Sequence, residues 1–220
     1  MIINNSEQIQ KYLQDNFNKL ESTKYKEDGF FYIDLIVRKK DDTENILVKK
    51  HGGSTFIKRW IINSLEKYQQ YEPEMIYLAD ITGGRLYISI NMKSQNKVSQ
   101  EYMNSGFNMA QQLIRKNPIS VKNIINKPLS IISSGSADIR DFTYWLFDID
   151  TKNENELNSV INYLNDLDKK FYVLNTSQGY HVIADKINRD EDIYPSILYN
   201  DLIEIKNNAL TLVYFNQKER

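Results

Sequence analysis

Asp148 and Asp150 stand two residues apart at the end of the apolar run Tyr144-Trp145-Leu146-Phe147. On a strand, residues i and i+2 project to the same face, so the two carboxylates share a side. Like charges held together repel, and burying them is costly unless a cation neutralises them. Hard divalent ions such as Mg²⁺ or Mn²⁺ do this with oxygen ligands. A strand end that simply emerges into solvent would carry the same pair, because Asp-x-Asp is a short motif. A second group follows in Asn175-Thr176-Ser177-Gln178-Gly179-Tyr180-His181. Gly179 would let backbone N–H groups approach an anion. Thr176 or Ser177 offers a hydroxyl to a phosphate, and His181 offers an imidazole N–H. A plain hairpin turn with a hydrogen-bonded histidine fits the same residues.

The elements that must position these groups are read from periodicity. Tyr144–Asp150 is a buried strand. Residues 155–167 are a helix with Leu157, Val160, Ile161 and Leu164 on one face. Phe171–Leu174 and Tyr180–Ile183 are strands joined by the Gly turn, and residues 190–199 are a short helix. Residues 202–205 and 210–214 are expected to pair as a hairpin across Lys206-Asn207-Asn208. The order β-α-β-β-(α)-β-β predicts an α+β fold: an RRM/ferredoxin-like, largely antiparallel sheet with helices packed on it.

Before it an N-terminal α/β lobe is expected. It contains a helix over 6–22 capped by Ser6, a strand over 30–37, a turn at 41–45 and a returning strand at 46–48. A helix opens at Gly52-Gly53-Ser54 with Phe56, Ile57, Trp60, Ile61 and Leu65 on its face. A strand over 75–79, a Gly83-Gly84 turn, a strand over 85–91 and a helix over 99–115 follow. Residues 117–141 read as a loop or lobe boundary, with Pro118, Pro128 and Ser133-Ser134-Gly135-Ser136. The expected division is 1–128 and 129–220, or one continuous domain.

The apolar strand ending in Asp148-Ile149-Asp150, followed by a Ser-containing turn into Gly179-Tyr180-His181, resembles the archaeo-eukaryotic primase, or primase-polymerase, superfamily. It is also similar to phage-encoded proteins with D-x-D and N-G-Y-H style segments. The resemblance covers about residues 143–215. It implies an RRM-like core and nucleotidyl transfer with two divalent ions on Asp148 and Asp150. It places Ser177, Gly179 and His181 on the incoming triphosphate. It also implies a third carboxylate on a later strand, for which Asp201 and Glu204 are candidates, and a basic residue near the phosphates, Lys186 or Arg140. The partners implied are nucleoside triphosphates and nucleic acid. A relative that kept the sheet and lost the third ligand would be a non-catalytic nucleic-acid- or protein-binding module.

Net charge is −1, so nucleic-acid contact must come from a local patch. Arg38-Lys39-Lys40, Lys49-Lys50-His51 and Lys58-Arg59 form a candidate basic track, with Tyr and Trp nearby for stacking. A solvated charged face would look the same. The absence of cysteine excludes disulfides and thiolate metal sites. No basic-then-apolar N-terminus and no run of about 18 apolar residues is present, so a cytoplasmic protein without a membrane span is expected. Lys26-Glu27-Asp28-Gly29 matches a nucleotide-ligase string but reads better as a turn before a strand. Glu204-Ile205-Lys206 matches half of a metal-dependent nuclease motif, with Asp185 or Asp201 as the preceding acid.

Overall fold

A computed structural model describes residues 1–41, 44–114, 121–187, 197 and 200–217. The fold is α+β with two antiparallel sheets. The first sheet takes β1 (Ile2–Asn4), β2 (Gly29–Val37), β3 (Thr55–Ile62), β4 (Arg85–Ser89), β5 (Lys93–Ser94) and β10 (Leu210–Asn216). Their order is β1-β10-β4-β2-β3, with β5 also on β2. The second sheet takes β6 (Tyr144–Ile149), β7 (Phe171–Asn175), β8 (Tyr180–Asp185) and β9 (Ile203–Asn207), in the order β7-β8-β6-β9. Helix α6 (Glu154–Asp166) makes the crossover from β6 to β7, and β8 lies between those two strands. This is the strand order of a ferredoxin-like sheet.

The period-2 pattern of β6 explains both of its faces. Phe147 and Ile149 join Val182, Ala184 and Ile203 against Val160, Tyr163 and Leu164 of α6. Tyr144 and Leu146 point the other way, with Tyr172, Leu174 and Ile183. They enter the core formed by Phe31, Ile33 and Leu35 of β2 and by helix α1 (Ser6–Glu21). Tyr12 of α1 is the hinge of that core. It lies edge-on to Phe31, Tyr144 and Tyr172 at centroid distances of 5.6, 5.3 and 5.0 Å. Each such pair contributes about 0.5–1.5 kcal/mol beyond area burial. Its hydroxyl donates to the Ile90 carbonyl, so the phenol is buried without an orphan group.

Several expectations are corrected. Residues 46–48 are not a strand: they open α2 (Ile46–His51), whose first turn is capped by the Asn45 side chain accepting from the Leu47 N–H at 3.0 Å. Residues 55–62 are not a helix. Their apolar pairs at 56/57 and 60/61 fit either period, and pairing with β2 from Phe31↔Ile62 to Val37↔Thr55 decides for the strand β3. Residues 75–79 belong to α3 (Leu65–Thr82): Met75 and Ala79, four apart, are buried, while Tyr77 is exposed. Gly83 is not a hairpin turn. It ends α3 in the left-handed conformation, φ 65°, its N–H returned to the Ala79 carbonyl.

Helix α4 (Gln95–Ile114) starts four residues before its expected first residue. Its start is tied to the Asp28 carboxylate, which accepts from Ser94 Oγ at 2.6 Å and the Asn96 N–H at 2.7 Å. The expected loop at 117–141 contains α5 (Val121–Ser133) with Pro128 inside it, and two short 3₁₀ turns. Helix α1 begins after Asn5 with no side-chain cap, Ser6 being its first residue. The expected hairpin of 202–214 does not form. β9 pairs with β6, and β10 crosses to pair with β1 and β4 in the other sheet. The first and last strands among the described residues are therefore neighbours. The expected helix at 190–199 lies outside the described residues apart from Ile197.

Candidate functional site

β6 and β8 pair with Asp148 opposite His181, and β6 and β9 pair with Asp148 opposite Glu204. Directly opposed residues share a face, and Lys206 shares it because it lies two positions from Glu204. This is the face turned away from α6. The result is a compact charge cluster. His181 Nε2 lies 3.1 Å from Asp148 Oδ1, and Lys206 Nζ lies 2.6 Å from Asp148 Oδ2 and 2.8 Å from Glu204 Oε2. The Asp148 side chain is 18% exposed. Burial raises its carboxyl pKa, but hydrogen bonds from His181 and Lys206 outweigh burial and hold it down to about 2. Burial lowers the Lys206 ammonium, and hydrogen bonds to Asp148 and Glu204 more than restore it, so the net shift is upward.

His181 also ties the two sheets together. Its Nδ1 is 2.9 Å from the hydroxyl of Thr211, a fully buried residue of β10. In the tautomer whose Nε2–H donates to the Asp148 carboxylate, Nδ1 accepts from the Thr211 hydroxyl.

The cluster borders a cleft between the sheets of about 430 Å³. From the second sheet and its turn the cleft is lined by Asp148, Asp150, Thr176, Ser177, Gln178, His181 and Lys206. From the first it is lined by Ile36, Arg38, Lys40, Ser54, Arg85, Tyr87, Leu210 and Leu212. Arg85 is positioned twice over. Asp41 accepts from its Nε and Nη2 at 2.7 and 2.6 Å, and its guanidinium stacks on Phe215 at 4.1 Å. Its remaining nitrogen approaches Ser177 Oγ at 3.4 Å. Arg38 donates to the Tyr87 hydroxyl at 3.0 Å.

The fold thus brings Asp148, Asp150, Ser177 and His181 to one cleft. Gly179 is adjacent. Its N–H donates to Thr176 Oγ1 at 2.9 Å, and a Cβ there would meet the Ile149 carbonyl oxygen at 2.0 Å. Glycine is needed for close backbone packing on the end of β6. Arg140 and Lys186 are not at the site. Both are exposed at the other end of the strands, where Tyr144 opposes Asp185. Asp201 is in the exposed turn before β9 and does not line the cleft, whereas Glu204 is in register with Asp148.

Of the expected basic track, Arg38 and Lys40 reach the cleft. Arg59 does not: it is held bidentate by the opposed Asp34, at 2.6 and 2.8 Å, and by groups of α5. Lys58 pairs with Glu74 and Lys49 with Glu44. The ligase-like string is structural, with Lys26 on Glu21 and Asp28 on α4. Arg85 and Thr211 were missed in the sequence because nothing local marks them. Both act on residues about ninety and thirty positions away.

Among the described residues, no group of three or more His, Asp or Glu side chains is arranged to hold a metal ion. Both oxygens of Asp148 already accept from His181 and Lys206, so a divalent ion does not fit unless Lys206 moves. Among the described residues no helix is long and apolar enough to cross a membrane. No protein-family model, curated protein or solved structure matches the chain.

Proposed function

We propose that this chain is a primase-polymerase-like nucleotidyltransferase that holds a nucleoside triphosphate in the cleft between its sheets and acts on nucleic acid. The carrying observation is the convergence of Asp148, Asp150, His181 and Ser177 on a cleft whose far wall supplies Arg38, Lys40 and Arg85. Carboxylates opposite a cationic wall suit a substrate with a polyphosphate at one end and a reacting hydroxyl at the other. In this reading Arg38, Arg85, Ser177 and His181 orient phosphate oxygens by charge-assisted hydrogen bonds. Asp148 and Asp150, with Glu204 as third carboxylate, are the residues that would hold Mg²⁺ or Mn²⁺, with Lys206 displaced from Asp148. Such ions supply charge neutralisation at the transferred phosphoryl group. The test is primer synthesis and extension with Mn²⁺. Wild-type protein should make product and Asp148→Ala should make none. Product from Asp148→Ala at the wild-type rate would overturn the assignment.

A second reading, a metal-dependent nuclease, is favoured by one observation: Glu204 and Lys206 lie on the strand beside Asp148, and Lys206 touches its carboxylate. The acid of that trio is Asp148, since Asp185 stands at the far end of β8 and Asp201 in a turn. Degradation of labelled DNA by the wild type, lost in both Glu204→Ala and Lys206→Ala, would select it. A third reading, a nucleic-acid-binding module without catalysis, would give binding with neither product.

A further inference from the structure

We propose that Lys206 is a resident cation of this site, its ammonium taking the place between Asp148 and Glu204 that a divalent ion would otherwise fill. This rests on the reading of Asp148 as a cation-holding carboxylate and not on any nucleotidyl transfer. The pairing of β6 with β9 sets the two carboxylates directly opposite each other, on one face. Lys206, one pleat further along β9, reaches back so that a single nitrogen lies 2.6 Å from Asp148 Oδ2 and 2.8 Å from Glu204 Oε2. Those are lengths of charge-assisted hydrogen bonds, and they use two of the three protons the ammonium can donate. The other Asp148 oxygen faces His181. The carboxylate therefore has partners on both oxygens without any metal, which relieves the cost of burying it.

A hard divalent ion entering here must displace Lys206 and break both contacts. It also meets the ammonium charge at close range. Removing the ammonium while keeping the carboxylates leaves Asp148 and Glu204 side by side with no cation between them, the local condition under which oxygen ligands gather Mg²⁺ or Mn²⁺. The effect is specific to position. Lys40 borders the same cleft from the side of the first sheet, whereas Lys206 touches Asp148 directly.

The experiment is Mn²⁺ titration of the full chain without nucleotide, reading free Mn²⁺ by its electron paramagnetic resonance signal. Wild type, Lys206→Met, Lys206→Gln and Lys40→Met are compared, each checked by thermal melting. Either Lys206 variant that folds should bind one Mn²⁺ about tenfold to a hundredfold more tightly than wild type, the equivalent of losing one or two charge-assisted hydrogen bonds to a competitor. Lys40→Met should stay within about twofold of wild type if the effect is local rather than bulk charge. Adding Asp148→Asn to the tighter Lys206 variant should abolish the gain. If Lys206 variants bind Mn²⁺ no better than a wild type that binds it well, the resident-cation proposal fails while the metal-site reading survives. If no protein binds Mn²⁺, both fail. Primer-extension activity enters neither outcome.

Discussion

Replacing Gly179 by alanine should displace the turn that carries Ser177 and opens the strand of His181. A Cβ at this position would stand 2.0 Å from the Ile149 carbonyl oxygen, 2.4 Å from the Thr151 carbonyl oxygen and 2.7 Å from the Thr151 nitrogen. All three are backbone atoms at or just past the end of β6, the strand that bears Asp148, so no flexible side chain can yield. Overpacking usually costs about 1–3 kcal/mol, and rigid backbone on every side puts Gly179→Ala near or above the top of that range. For a chain of this size, about 3 kcal/mol lowers Tm by roughly 6–12 °C. Gly53→Ala is the control, since a Cβ there meets nothing within 4 Å. Differential scanning fluorimetry measures both, and the His181 ring resonances report whether the turn has moved. A Gly179→Ala protein melting within about 1 °C of the Gly53→Ala protein, with His181 unshifted, would refute the close approach.

Three further outcomes are expected. Asp148→Asn should destabilise by about 1–2 kcal/mol at neutral pH, after allowance for partial exposure. Because the folded carboxyl is held at about 2, the wild-type advantage is complete above the unfolded value and is lost as pH falls through about 2, so the gap between wild-type and Asp148→Asn urea midpoints should be narrower at pH 3 than at pH 7 without closing. Arg59→Ala removes one partner of a pair whose side chains are 8% and 6% exposed, and should cost about 3–5 kcal/mol in a urea melt, because Asp34 is left buried and uncompensated. An unchanged midpoint would return Arg59 to the surface track. Thr211→Val deprives His181 Nδ1 of its partner across the sheets, so it should cost about 1 kcal/mol and shift the imidazole ¹⁵N resonances. Unaltered nitrogen shifts would show that the contact is absent.

The layout of the second sheet was legible because it is local. The apolar run before Asp148 and the helical period of Leu157, Val160 and Leu164 specify β6 and α6 in order. The Gly turn before His181 likewise specifies β7 and β8. Alternation then puts Asp148 and Asp150 on one side. The first half was less legible for two physical reasons. Its short apolar runs at 46–48, 56–61 and 75–79 fit either period, and tertiary pairing chose between them. Its topology also depends on contacts spanning the whole chain, such as Ile3↔Phe215, which no window of sequence contains. The same non-locality hid the cationic wall. Arg85 joins Ser177 only because β10 leaves its expected hairpin partner and carries the chain back to the first sheet. Lys206, read in the sequence as part of a nuclease string, became central once pairing placed it on Asp148.

The most direct test of the central claim is a crystal structure of the chain soaked with Mn²⁺ and a non-hydrolysable nucleoside triphosphate. The expected result is density for the triphosphate in the cleft, with phosphate oxygens in hydrogen-bonding range of His181, Ser177 and Arg85, and Lys206 moved off Asp148. Triphosphate bound elsewhere on the surface, with the cleft empty and Lys206 still seated between Asp148 and Glu204, would contradict it.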